Sequence, residues 1–232
     1  MIRLGIFEQN NLFGRFCGKI GSIILVNLLF IISLLPVITV GAGMCAMYYS
    51  MLSLVRYGDI NPVKIFWKGF RQNFKQATAT WFLIIIVVLL FYADFRITTY
   101  MTGGMRIFQI MVGAVGIVTV LVIMYLFPIM ATFEGKLRDL LKNCIYFIGK
   151  NPVTALMIAV FNICPMVLTY VFFEYLPLSA FLWCAIGFSL VAFINANFLY
   201  RLFKVNLDVI DNEKNIYKND KKQLIEMEKL GM

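Results

Sequence analysis

Residues 20–55 read IGSIILVNLLFIISLLPVITVGAGMCAMYYSMLSLV, a run of 36 residues without a charged side chain. As one helix this run would be about 54 Å long, nearly twice the roughly 30 Å hydrocarbon core of a bilayer. Pro36, Gly41 and Gly43 lie near its middle, and proline and glycine are the residues that end helices and turn chains. The run therefore predicts a helical hairpin whose turn contains Pro36, Gly41 and Gly43.

The two arms of this hairpin, about 20–35 and 41–55, are short for a complete crossing of the bilayer. They either re-enter the membrane, or cross it while Lys19 and Arg56 reach back to the interface. Both alternatives place the two ends of the hairpin on the same side.

The rest of the chain contains four further uncharged runs, over 76–93, 107–133, 151–173 and 175–200. The composition is 61% hydrophobic and 14% charged, against roughly 45–50% and about 25% in soluble domains. We therefore expect an all-α polytopic membrane protein, with one helical membrane domain over 1–205 and a polar cytoplasmic tail over 206–232. About six transmembrane helices are predicted, near 20–35, 41–55, 77–93, 107–133, 152–172 and 178–200.

The basic residues indicate the orientation. If the first run crosses twice, 19 of the 21 lysines and arginines lie on the side of the amino terminus, and only Arg96 and Arg106 lie opposite. Basic loops stay in the cytoplasm, so we expect a multi-pass protein of the cell membrane with both termini cytoplasmic. The net charge of +9 then faces anionic lipid and requires no nucleic-acid partner.

Two cytoplasmic connections are predicted to form amphipathic helices. In the first, Phe66, Phe70 and Phe74 recur at helical spacing among lysines and arginines, and Asn61-Pro62 is a favourable start. In the second, an apolar stripe runs from Leu137 to Ile148.

Such helices either lie along the lipid headgroups or dock a soluble or membrane partner, and both interpretations fit the pattern. The candidate partner-docking residues are Phe66, Phe70, Asn73, Phe74, Lys75 and Gln76.

The chain contains no histidine and only twelve carboxylates, half of them in the last 32 residues. Histidine-dependent triads and histidine-containing metal sites are therefore excluded. We predict no catalytic, cofactor-binding or metal-binding residue, and we expect the protein not to be an enzyme. The five cysteines form no CxxC pair and are expected to act as small buried hydrophobes.

Polar side chains inside the predicted spans are few and uncharged. Because burying them in lipid is costly without a partner, we expect them to form hydrogen bonds between helices. They are Asn27, Tyr48, Tyr49, Gln109, Asn162, Asn195 and Asn197.

Several segments resemble a known family. They are Phe13-x-x-Phe16, LLPVITVGA at 34–42, Tyr48-Tyr49 followed by Arg56, and FRQNFKQAT at 70–78, of which the last is the most specific. Over about residues 5–205 the chain resembles the YesL-like predicted integral membrane proteins of Gram-positive bacteria, a domain of unknown function.

Members of that family are often encoded beside genes for carbohydrate uptake and polysaccharide breakdown. The resemblance therefore implies an accessory or regulatory component associated with carbohydrate uptake or utilisation. Its expected partners are the lipid bilayer and transporter or sensor subunits, with a homo-oligomer left open. The alternative is an autonomous membrane transporter or a permease subunit for a small solute or saccharide, although residues 134–150 contain no convincing EAA-type loop.

Overall fold

The computed structural model describes residues 12–58, 60–99 and 106–204, which contain seven helices and no β-strand. Six helical stretches are long and apolar enough to cross a membrane, which confirms the predicted all-α polytopic fold. The helices are α1 Leu12–Leu34, α2 Val40–Tyr57, α3 Pro62–Thr99, α4 Arg106–Thr132, α5 Leu137–Lys150, α6 Pro152–Val171 and α7, which starts at Leu176, passes through a π-helical segment at Trp183–Gly187 and reaches residue 204.

The predicted turn between the first two helices is confirmed at Pro36. Helix α1 ends at Leu34, a short 3₁₀ helix covers Val37–Thr39, and α2 begins at once. The Thr39 hydroxyl donates a hydrogen bond of 2.6 Å to the carbonyl of Ser33, which ties the turn to the end of α1.

Gly41 and Gly43 do not lie in the turn, and this part of the prediction is corrected. Both are buried in the first turns of α2. A Cβ at Gly41 would overlap the Ala77 carbonyl oxygen, and one at Gly43 would overlap the Ser33 hydroxyl. These glycines allow α2 to approach its neighbours closely, because glycine has no Cβ and any other residue would collide at these positions.

Helix α2 is the centre of the bundle and packs against α1, α3 and α4. In its span 61% of the residues are buried, against 11% to 28% in the other five spans. With 23 and 18 residues, α1 and α2 are about 34 and 27 Å long. These lengths are close to the thickness of the hydrocarbon core.

Helix α3 differs from the predicted arrangement of a connecting helix followed by a separate span over 77–93. It is a single helix of 38 residues. It begins at Pro62 as the Asn61-Pro62 pair indicates, with the Asn61 side-chain oxygen accepting a hydrogen bond of 3.1 Å from the Lys64 backbone. No proline or glycine follows Gly69 within it, so nothing interrupts the helix. In contrast, α5 and α6 are separate because Pro152 follows Asn151.

The interhelical role predicted for polar residues is confirmed for some of them. The Asn195 amide on α7 donates to the Tyr48 hydroxyl on α2 at 3.4 Å, and Asn27 links α1 to α7. It is wrong for Asn162 and Asn197, whose amides donate to carbonyls four residues earlier in their own helices. Neither of these two is buried, so each finds the nearest acceptor.

The expectation of buried cysteines holds for Cys45 and Cys144 and is wrong for Cys17, Cys164 and Cys184, which lie on the exposed surface of their helices. The predicted tail over 206–232 and the side chain of Gln109 lie outside the part of the chain that the structure describes.

Candidate functional site

Four segments meet at one end of the bundle: the end of α2, the first half of α3, the end of α4 and α5. The Gln76 amide on α3 donates a hydrogen bond of 2.9 Å to the carbonyl of Gly135, in the connection between α4 and α5. The end of α7 joins them, because the rings of Phe133 and Phe203 are 5.2 Å apart. We call this region the basic end, after its basic residues Arg56, Lys64, Lys68, Arg71, Lys75, Lys136, Arg138, Lys142 and Lys150.

The inner face of the first half of α3 fixes this half to the bundle. Phe66 is 1% exposed, and its ring stacks on that of Phe70 with centroids 6.3 Å apart. Gly69 lies directly against Tyr49 of α2, since a Cβ there would come within 2.9 Å of the tyrosine Cβ. The helix is therefore held by close packing and cannot rotate freely about its axis.

The opposite side of this half of α3 is exposed and is here called the outer face, consisting of Lys64, Trp67, Arg71, Phe74 and Lys75. Trp67 and Phe74 are 44% and 37% exposed and are seven residues apart, so both project along one line. The three basic residues form a parallel stripe beside them. No acidic residue occurs between positions 60 and 93, so the outer face combines positive charge with two aromatic rings.

The structure divides the six predicted docking residues among three sides of α3. Phe66 is buried and Phe70 is half-buried on the inner face, Phe74 and Lys75 are exposed on the outer face, and Asn73 and Gln76 are half-buried beside a cleft. They do not form one continuous surface, because a helix turns by about 100° per residue.

That cleft, the basic-end cleft, has a volume of about 450 Å³. Its lining comes from α2, from α3, and from the end of α4 with the residues after it. The lining residues are Tyr49, Arg56, Tyr57, Lys68, Gln72, Asn73, Gln76, Met130, Ala131, Thr132, Phe133, Glu134 and Gly135.

The polar side chains of the cleft are held in place by their neighbours. The Lys68 ammonium lies 5.9 Å from the centre of the Tyr49 ring. The Asn73 amide donates to the Gly69 carbonyl at 3.2 Å, while Gln76 fixes the opposite wall through Gly135. These contacts orient Lys68, Asn73 and Gln76 within the lining.

This cleft is not predicted from the sequence, although part of its residue pattern is present there. Lys68, Gln72 and Gln76 recur every four residues and lie on one edge of α3. Tyr49 and Arg56 are seven residues apart on α2 and share a face in the same way. The pattern that could have revealed the cleft is this polar edge between the apolar inner face and the outer face.

The chemistry available at the basic end is that of hydrogen bonding and positive charge. Glu134 is the one carboxylate among the lining residues. Across the residues that the structure describes, no three His, Cys, Asp or Glu side chains are grouped so that they could hold a metal ion.

A family model describes part of this architecture. Residues 23–95 match a family described as "Protein of unknown function, DUF624". The match runs from α1 through α2 and most of α3, and so includes the Pro36 turn and the outer face. No curated protein and no solved structure matches the chain significantly. Over residues 23–95 the chain is similar to the DUF624 family of unknown function, a domain that the YesL-like proteins are known to carry, and the resemblance found in its sequence is confirmed over these residues.

Proposed function

We propose that the protein is an accessory or regulatory subunit in the membrane, which acts by docking a protein partner on the outer face of α3. The observation that carries this proposal is the continuity of α3, whose amphipathic first half and apolar second half form one helix of 38 residues.

The length of α3 favours docking over the alternative, in which the first half of the helix lies along the lipid headgroups. At 1.5 Å per residue the helix is about 57 Å long, while a bilayer core takes about 20 residues. The apolar half from Ala77 onward supplies that crossing. The first half packs along α2, where Ala77 meets Gly41 and Gly69 meets Tyr49, so it continues the axis of the span rather than bending to lie along the headgroups.

The outer face has the chemistry of a protein-binding surface. Exposed aromatic residues such as Trp67 and Phe74 serve as anchors at interfaces, and basic residues around them select an acidic partner and speed its association. A partner that offers an acidic groove with an apolar floor would match both features, in the manner of a helix bound in a groove.

The cellular context of this role follows from the resemblance to the YesL-like family. It supports an association with carbohydrate uptake or utilisation, in which the partner is a transporter or sensor subunit or a second copy of the chain. The distribution of basic residues supports a cell-membrane location with both termini cytoplasmic. The lack of histidine supports a role other than catalysis.

The test is a pull-down of the tagged protein from its native membrane in a mild detergent, followed by mass spectrometry. The variant combines Trp67→Ala, Phe74→Ala and Lys75→Gln. Trp67 and Phe74 are more exposed than Phe70 but contact its ring, so the thermal unfolding midpoint of the variant in detergent is measured beside the pull-down to show that it folds. The matched control on α5 combines Ile145→Ala, Tyr146→Ala and Lys142→Gln, whose side chains are also exposed.

We expect a transporter or sensor subunit to copurify with the wild type and the α5 variant, and to be lost from the outer-face variant. Loss from the α5 variant alone would contradict docking on α3. Recovery of the wild type without any partner would contradict the accessory role and favour the alternative, an autonomous transporter, which is then tested by saccharide flux into reconstituted vesicles.

A further inference from the structure

We propose that the basic-end cleft binds a phosphate-bearing ligand of headgroup size. This inference is separate from the proposed docking function, because it concerns the cleft between α2, α3 and α4 and a small ligand. The structure contributes three observations to it: the donors that line the cleft, the size and position of the cleft, and its rigid walls.

The lining is rich in hydrogen-bond donors. Lys68 offers three N–H donors and no acceptor, and Arg56 adds a guanidinium at the end of α2. The phenols of Tyr49 and Tyr57 and the Gln72 amide supply uncharged donors. A phosphate group has several acceptor oxygens and a negative charge, so it matches these cationic and uncharged donors.

Neighbouring charges increase this preference. Lys64 and Arg71 lie beside Lys68 around a shallow depression that continues from the cleft along α3. Among the cleft residues Glu134 alone is acidic, and its carboxylate can accept a hydrogen bond from a hydroxyl of the ligand. The local field is therefore positive, which favours an anion.

The size and position of the cleft define the ligand further. A volume of about 450 Å³ falls within the range of small-molecule sites. The cleft lies where the apolar half of α3 gives way to its basic half, and the apolar side chains of Met130 and Phe133 line it together with the polar ones. The ligand is therefore a phosphate with a small polar or partly apolar remainder, either the headgroup of an anionic lipid or a soluble phosphate compound.

The walls are formed before any ligand arrives. Gly69 holds Tyr49 against α3 with no space for a side chain between them, and the hydrogen bond from Gln76 to Gly135 fixes the connection that carries Glu134. Because these parts of the wall are already held in place, binding does not have to order them.

The experiment has two arms that distinguish the two sources of phosphate. In the first, inorganic phosphate is titrated calorimetrically into the full-length protein in a nonionic detergent at constant ionic strength. In the second, the protein is placed in nanodiscs of phosphatidylcholine, with or without phosphatidylglycerol, and retained lipid is identified by native mass spectrometry. Each arm compares the wild type with Lys68→Gln, Lys68→Arg and the control Lys75→Gln, which makes the same change of charge on the outer face.

We expect Lys68→Gln to weaken binding about tenfold or more, because one charge-assisted hydrogen bond is lost. Lys75→Gln should change the affinity less than about threefold. Lys68→Arg should retain most of the affinity. An effect in the first arm identifies a soluble phosphate, and an effect confined to the second identifies the lipid headgroup. If neither probe binds, or if Lys75→Gln weakens binding as much as Lys68→Gln, the proposal is wrong.

Discussion

The side-chain amide of Asn27 on α1 donates a hydrogen bond of 2.7 Å to the backbone carbonyl of Cys184 on α7. It also donates to the carbonyl of Trp183, and its side-chain oxygen accepts from the backbone N–H of Ser189 at 3.0 Å. These three backbone groups lie in or just after the π-helical segment, where the regular hydrogen-bond pattern of α7 is interrupted. The buried Asn27 side chain thus provides hydrogen-bond partners for the backbone groups of the irregular segment. Lipid could not provide such partners.

Replacing this residue should destabilise the protein. The variant Asn27→Leu has a similar size but leaves buried carbonyl and N–H groups without partners, which costs about 1–3 kcal/mol of unfolding free energy. We expect a lower midpoint of thermal unfolding in detergent than for Asn197→Leu. Asn197 is exposed and donates only to a carbonyl of its own helix, so its change is the matched control. Equal midpoints for the two variants would show that Asn27 does not support the π-helical segment.

Gly41 provides a second test of the packing around α2. In Gly41→Ala the new Cβ would meet the Ala77 backbone oxygen and lie 2.7 Å from the Trp81 Cβ, and neither atom is the free end of a flexible side chain. The two helices must separate, so we expect a loss of about 1–3 kcal/mol in unfolding free energy.

The control for this change is Gly113→Ala on α4, where a Cβ would meet nothing within 4 Å. It should leave the stability unchanged or raise it slightly, because alanine restricts the unfolded chain more than glycine does. Both variants are compared by thermal unfolding in the same detergent. A stable Gly41→Ala protein would contradict the close approach of α2 and α3.

The residues around Gly41 also illustrate how far the sequence could predict the fold. Uncharged runs and a central proline are local signals, and they suffice to place the helices and the turn at Pro36. The role of Gly41 depends on Ala77, which reaches it only through the packing of α3 on α2. Local sequence signals alone therefore suggest that such a glycine belongs to the nearest turn.

The candidate site shows the same limit. The amphipathic pattern of α3 was recognisable. The predicted span began at residue 77 because the charged residues stop just before it, but the helix continues through this point without a break. The cleft combines Tyr49 and Lys68 with Glu134, which lies 66 positions after Lys68 in the sequence. No periodicity within one segment can join residues that meet only in the folded bundle.

Cys144 on α5 is expected to be chemically inert in the folded protein. Burial raises the pKa of its thiol from 9.0 to about 12, since a thiolate there would lose its hydration. At pH 8 the reactive thiolate is then about 10⁻⁴ of the population. Iodoacetamide should modify the exposed Cys17 readily and Cys144 only after denaturation, as read by peptide mass spectrometry.

The same pKa shift has a consequence for stability. Because the folded form retains its proton where the unfolded thiol loses it, this contribution is complete below pH 9 and is lost progressively as the pH rises from 9 towards 12. Cys144→Ala should reduce that alkaline loss relative to the wild type. Rapid labelling of Cys144 at pH 8 without denaturant would show that α5 opens away from the bundle.

The orientation of the basic end can be tested with introduced cysteines. Lys142 on α5 and Leu178 on α7 are both exposed, and they belong to opposite ends of the α6 span. If the basic end faces the cytoplasm, a membrane-impermeant maleimide should label Leu178→Cys in intact cells and Lys142→Cys only after permeabilisation. The background carries serine at Cys17, Cys164 and Cys184, the three cysteines that are exposed. The reverse pattern would place the outer face and the cleft outside the cell, where neither a cytoplasmic partner nor an inner-leaflet headgroup could reach them.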